Sequence, residues 1–106
     1  MILQETYTLS NGVAVPKLGL GTWFIRNRDV GRAVQEAVAL GYRHVDTAQA
    51  YGNEGGVGDG VRACGVPRDQ VFVTTKLDAG AKSYAKAARG IDRSLTTTCS
   101  AADAIQ

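Results

Sequence analysis

Three polar residues of this 106-residue chain have types and positions suited to chemistry: Asp46, Tyr51 and Lys76. A carboxylate beside Lys76 would hold its ammonium charged, and an ammonium beside Tyr51 would favour the phenolate and so make the hydroxyl a better acid. A tyrosine in that setting is suited to giving a proton to a carbonyl oxygen while another agent supplies hydride. The same residues also read as an ion pair at two strand ends with a surface tyrosine nearby, and spacing alone leaves both readings open. His44, the one histidine, lies two residues before Asp46. It would face the same side of its strand one layer deeper, a place for packing rather than proton transfer.

The elements that must position these residues follow from periodicity. Residues 6–9 and 13–15 flank Ser10-Asn11-Gly12, a hairpin signal because Asn and Gly both tolerate positive φ. Pro16 is expected to break that ladder. The run Leu18-Gly19-Leu20-Gly21-Thr22 reads as a buried strand. Over residues 29–40 the apolar positions Val30, Ala33, Val34, Ala37 and Val38 have the spacing of a helix with one buried face, and Gly41 sits where a glycine ends a helix.

Residues 42–47 read as a second strand. Asn53 is placed to cap a helix running to Cys64, with Val57, Val61 and Cys64 on one face, although four glycines between residues 55 and 60 weaken it. The β-branched and aromatic run 71–75 reads as a strand buried on both faces. Ser83 caps a third helix with an apolar stripe of Tyr84, Ala87, Ala88, Ile91 and Leu95. The order is a hairpin and then a repeated βα unit, which means a parallel sheet covered by helices. In such a sheet the C-terminal strand ends open on one edge, and Asp46 and Lys76 both fall there.

Composition excludes several classes. Hydrophobic residues make up 44% and charged residues 21%, as in a folded domain, and a net charge of +2 without basic clusters argues against nucleic acid or an anionic membrane. No apolar run is long enough for a bilayer, and residues 1–8 lack the features of a secretory signal. Cys64 and Cys99 have no metal-ligand spacing and read as free thiols of a reducing, cytoplasmic compartment; no metal site is expected. The glycines from Gly55 to Gly60 could cradle a phosphate at a helix start, but the lysine of a P-loop is absent. Gly19-Leu20-Gly21 is likewise no dinucleotide fingerprint, since Phe24 stands where a third glycine belongs.

Four motifs, in order and in spacing, resemble the aldo-keto reductase family: Leu18-Gly19-Leu20-Gly21-Thr22-Trp23, Gly41-Tyr42-Arg43-His44-Val45-Asp46-Thr47-Ala48, Tyr51-Gly52-Asn53-Glu54 and Thr74-Thr75-Lys76-Leu77. The likeness runs over about residues 9–97. It implies the start of a TIM (β/α)8 barrel, an N-terminal β-hairpin and three βα units, with the barrel incomplete. It implies NADPH-dependent reduction of aldehydes or ketones, with a small-molecule carbonyl compound as substrate. By motif, Tyr51 is the general acid, Lys76 tunes it and Asp46 pairs with Lys76. Gly21, Thr22 and Asp46 match positions facing the nicotinamide end of the cofactor, while Trp23 and Tyr51 match the substrate pocket.

The chain also departs from that family. The family's catalytic histidine ends a fourth strand, which is not expected here, and Asp78 stands where relatives often carry an aromatic residue. After Leu95-Thr96-Thr97 the pattern stops abruptly, as a frameshift, mis-called exon or premature stop would produce. Residues 98–106 therefore read as an unrelated, disordered tail. A barrel of this kind takes about 250 residues, so three units would leave the strand at 71–75 as an open edge. Val45 and Val73, read as facing the barrel axis, would lose their partners. The isolated chain is then expected to be inactive, or to associate with itself through that edge.

Overall fold

The computed structural model of the chain describes residues 1–98 and 104–105. A 3-10 turn at Ile2–Gln4 leads into β1 (Thr6–Thr8), which pairs antiparallel with β2 (Ala14–Pro16). The Asn-Gly turn joins them with a different backbone from that expected. Gly12 takes φ 87°, while Asn11 stays out of the left-handed region and its Oδ1 accepts the Val13 N–H at 3.0 Å. Pro16 does not stop the ladder: it lies opposite Thr6, and the next amide, Lys17 N–H, donates to Glu5 O at 2.9 Å.

The second sheet is wholly parallel, in the order β3 (Leu20–Gly21), β4 (His44–Asp46), β5 (Phe72–Thr75) and β6 (Ala104–Ile105). Helices α1 (Asn27–Ala39), α2 (Glu54–Ala63) and α3 (Tyr84–Thr97) follow β3, β4 and β5 in turn. The hairpin and the βα repeat are thus as expected, and the sheet stays open among the described residues. β3 is less buried than its apolar run implied, with Leu20 half-buried and Gly21 exposed.

One expectation about the tail is corrected. Ala104–Ile105 forms a fourth parallel strand, paired with Thr74 and Thr75, so β5 is not a bare edge. A two-residue strand is too short to show a period, but the buried backbone of β5 needs partners and takes them there. Residues 99–103 and 106 lie outside the described residues, and with them most of the expected disordered tail.

The core is made almost entirely of valine. Val30, Val34 and Val38 of α1 meet Val57 and Val61 of α2 over Val45 of β4, Val73 of β5 and Val71 just before β5. Val45 and Val73 therefore face the helices and not a barrel axis, which corrects the sequence reading. The alternation of a strand then sends His44, Asp46, Phe72 and Thr74 to the other face. Helix α1 ends as expected, with Gly41 at φ 107° and its N–H on Val38 O at 3.0 Å.

The glycines of α2 have a packing role that composition could not reveal. A Cβ at Gly56 would collide with Asn27 O and lie 2.5 Å from Val30 Cγ1; one at Gly60 would lie 2.7 Å from Gly31 O. Gly58 meets Thr98 O at 2.6 Å in the same sense. The glycines cost helix propensity but allow α1 and α2 to approach backbone to backbone.

Helix α3 is capped by Ser83, whose Oγ accepts the Lys86 N–H at 3.2 Å. Its buried face, however, is Gly90 and Ser94, while Tyr84 of the expected apolar stripe is 92% exposed.

Adjacent glycines should respond in opposite directions. Gly56→Ala is overpacked against α1 and should destabilise the chain by about 1–3 kcal/mol or more. Gly55→Ala, whose Cβ would find nothing nearer than Asn27 Oδ1 at 3.6 Å, should gain up to about 1 kcal/mol from helix propensity. Urea unfolding midpoints of the two variants check both signs.

Candidate functional site at the C-terminal strand ends

Asp46 is the last residue of β4, and Lys76 directly follows β5. The parallel register sets Asp46 opposite Thr74, so both side chains emerge at one edge of the sheet. There Lys76 Nζ lies 2.8 and 2.7 Å from the two Asp46 carboxylate oxygens and also donates to Thr47 O at 3.0 Å. The pair is about one-third exposed, so solvent screens it, and its chief effect is to fix where the ammonium sits.

Tyr51 arrives from a 3-10 turn, Gln49–Tyr51, closed by Gly52 in the left-handed region at φ 68°. Its hydroxyl oxygen is 3.4 Å from Lys76 Nζ, and the ammonium stands 5.1 Å from the ring centroid. The structure thus brings together Asp46, Tyr51 and Lys76 from three separate segments. An ammonium can only donate, so the Tyr51 oxygen is the acceptor in this contact and its own proton is left for another acceptor.

Beneath this surface lies a polar network. Asn53 is fully buried, and its Nδ2 donates to Thr22 O at 2.9 Å and Ile25 O at 3.0 Å. Its Oδ1 accepts from Thr47 Oγ1 at 2.6 Å, and Thr47 is the residue whose carbonyl holds Lys76. Asn53 does occupy the start of α2, and Val57 N–H donates to its carbonyl at 3.0 Å, but its side chain does not cap the helix. It ties the loops after β3 and β4 to each other instead. Glu54, also buried, accepts from Thr75 Oγ1 at 2.6 Å. Thr47, Asn53, Glu54 and Thr75 all lie within the four family motifs, but nothing in those motifs showed that they bond to one another.

The remaining expected residues are distributed around it. Gly21 is exposed and in register with Asp46, and a Cβ added there would meet nothing within 4 Å. Thr22 is fully buried, with its hydroxyl donating to Asp46 O at 2.9 Å. Trp23 is 67% exposed and stacks on Phe24 at 4.4 Å between centroids, and Phe24 holds φ 66°, strained for a bulky residue. His44 has a partner on each ring nitrogen, Pro16 O at 3.2 Å and Thr74 Oγ1 at 2.9 Å, and an edge contact to Phe72.

The glycines once weighed as a phosphate cradle are engaged otherwise: Gly56 N–H donates to Asn27 Oδ1 at 2.8 Å. A cleft of about 480 Å³ opens beside the site, between Gln49, Asp78 and the α3 residues Lys86, Arg89 and Arg93. It touches none of Asp46, Tyr51 and Lys76, so concavity and chemistry do not coincide here.

Parallel strands alternating with helices, with ionisable side chains at the C-terminal strand ends, define an α/β protein of the class that builds its sites on that edge. Residues 17–103 match the model of the aldo/keto reductase family, beyond the point where the motifs fade. A 9,11-endoperoxide prostaglandin H2 reductase of Trypanosoma cruzi is 47% identical over 88 residues, 82% of this chain and 31% of that protein. A glycerol 2-dehydrogenase (NADP(+)) of Saccharomyces cerevisiae is 49% identical over 70 residues, 66% of this chain and 22% of that protein. Among solved structures, an aldo/keto reductase from Brucella melitensis superposes with a TM-score of 0.86 at 41% identity, covering 91% of this chain and 37% of that one. An aldo-keto reductase of Bombyx mori in complex with NADP gives 0.82 at 32% identity, covering 91% and 34%. The chain spans less than a third of either curated relative. It belongs to the aldo/keto reductase family.

Removing the buried amide should be costly. Asn53→Ala strands two carbonyls and a hydroxyl in the interior, and a loss of about 2–4 kcal/mol is expected from unsatisfied groups. Chemical denaturation followed by circular dichroism measures it.

Proposed function

We propose that this chain carries the proton-donating side of a carbonyl reductase site, in which an aldehyde or ketone is reduced to an alcohol. The observation that carries the reading is Lys76 Nζ, clamped by Asp46 and standing 3.4 Å from the Tyr51 hydroxyl. As the carbonyl carbon is reduced, charge builds on its oxygen, and Tyr51 gives its proton there. The ammonium of Lys76 stabilises the phenolate that remains, and Asp46 holds that ammonium in place. Trp23, exposed and stacked on Phe24, supplies an apolar wall for a small substrate.

Bound NADPH supplies the hydride. The residues present suit its nicotinamide end: Gly21 leaves open space at the strand edge beside Asp46, as a flat ring requires. Thr22, buried and bonded to Asp46 O, shapes that surface from beneath. The NADP in the Bombyx mori structure and in the name of the Saccharomyces cerevisiae relative support this choice of cofactor.

The reading assigns a role to these residues and not turnover to the chain alone. Among the described residues the parallel sheet has four strands, whereas a (β/α)8 barrel closes with eight. Self-association through β5, the other expectation, has less to rest on, because Thr74 and Thr75 are already paired with β6.

The experiment is a graft of residues 17–97 in place of the matching segment of the Brucella melitensis reductase. The graft should reduce a small aldehyde with NADPH, and Tyr51→Phe should lower its kcat by about 10²–10⁴-fold. Lys76→Met should lower kcat with little change in KM. Undiminished turnover by the Tyr51→Phe graft would sink the reading.

A further inference from the structure

We infer that Gln49 is a positioning residue for Tyr51, an inference that rests on the proton-donor reading above. Gln49 opens the single 3-10 turn that carries Tyr51. That turn has little of its own to hold it: Tyr51 N–H on Ala48 O at 3.1 Å and Gly52 N–H on Gln49 O at 3.2 Å. So short a 3-10 segment is weak in isolation.

Gln49 fixes the turn on two sides. Its backbone N–H donates to Lys76 O at 3.1 Å, which ties the turn to the very residue Tyr51 must face. Its side-chain Nε2 donates to Gly90 O at 2.7 Å and to Ser94 Oγ at 2.9 Å, and its Oε1 accepts the Asp78 N–H at 2.8 Å. Both amide protons and the amide oxygen are engaged. The orientation of the amide follows from its partners, since Gly90 O can only accept and Asp78 N–H can only donate.

The choice of small residues on α3 fits this role. A Cβ at Gly90 would lie 2.9 Å from Leu77 Cδ2 and 3.3 Å from Gln49 Nε2, and Ser94 is 1% exposed with its hydroxyl on the same nitrogen. The face of α3 that the apolar stripe failed to predict is therefore the docking face for Gln49. One side chain locks the Tyr51 turn to α3 and to the segment just after Lys76. Without it the turn keeps only its own weak bonds and the single backbone bond from Gln49 N–H to Lys76 O, and a displacement of about 1 Å at Tyr51 is enough to cost ~10²-fold in a reaction that depends on alignment.

The test reads the Tyr51–Lys76 contact directly in the 106-residue chain, by NMR of tyrosine labelled with ¹³C at Cζ. The Tyr51 signal is assigned by its loss in Tyr51→Phe. Lys76→Met removes an ammonium 3.4 Å from the phenol oxygen and should move that signal. In a Gln49→Met background the same Lys76→Met change should move it less than about half as far, the signature of coupling in a double-mutant cycle. Ser94→Ala removes only one of the partners of Gln49 and should give a smaller loss of the same sign; it also serves if Gln49→Met does not fold. An undiminished response in both backgrounds overturns the role of Gln49 while leaving the Lys76–Tyr51 contact intact. No response to Lys76→Met in the otherwise unaltered chain overturns the contact itself, and both readings fall with it.

Discussion

A lysine two-thirds buried has to give each of its protons to an oxygen, and Lys76 has four oxygens within 3.4 Å to choose from. The arrangement at the sheet edge answers to that demand. Two of the oxygens come from Asp46, which requires β4 and β5 to be neighbours in the observed register. The third is the Thr47 carbonyl, one residue beyond β4. The fourth, the phenol oxygen of Tyr51, is the most distant, and so the least firmly held of the set. Moving any of these segments alone would leave charge or a donor unmatched where water reaches only in part.

Loops held by side chains rather than by regular backbone ladders supply the rest of the site. Asn53 joins the loops after β3 and β4 from below, and Gln49 reaches across to α3 from the side. They stand two residues after and two residues before Tyr51. Primary amides suit this task because one end donates and the other accepts, so a single side chain can satisfy orphan groups of both kinds. The short connections of the chain thus keep a defined shape without lengthening any helix or strand.

How much of this was legible in the sequence depends on whether the cause was local. Helix α1 was readable because Val30, Val34, Ala37 and Val38 bury one face and Gly41 ends it, all within one stretch of chain. The Asp46, Tyr51 and Lys76 cluster was readable because parallel strands place their ends on a common edge. The orientation of Val45 and Val73 was misread, since alternation gives two faces without saying which one the helices cover. Tyr84 misled for a related reason: an aromatic at the right period looks apolar-facing, but α3 docks through Gly90 and Ser94, where small size matters more than hydrophobicity. The hydrogen bonds of Gln49 and Asn53 join residues far apart in sequence and leave no local trace. β6 was hidden because its two residues acquire their structure only from the backbone of β5.

The backbone-to-backbone seam between α1 and α2 bears on how the chain folds. Four glycines in a ten-residue helix lower its intrinsic helicity by about 4 kcal/mol relative to alanine, so α2 has almost no tendency to coil unaided. Its conformation is borrowed from its packing against α1. An isolated helix as short as α1 is itself marginal in water, so the two helices and the valines between them, with Val71 and Val73 beneath, form as one cooperative unit. A change that moved α1 away from this seam would therefore cost α2 its helix as well.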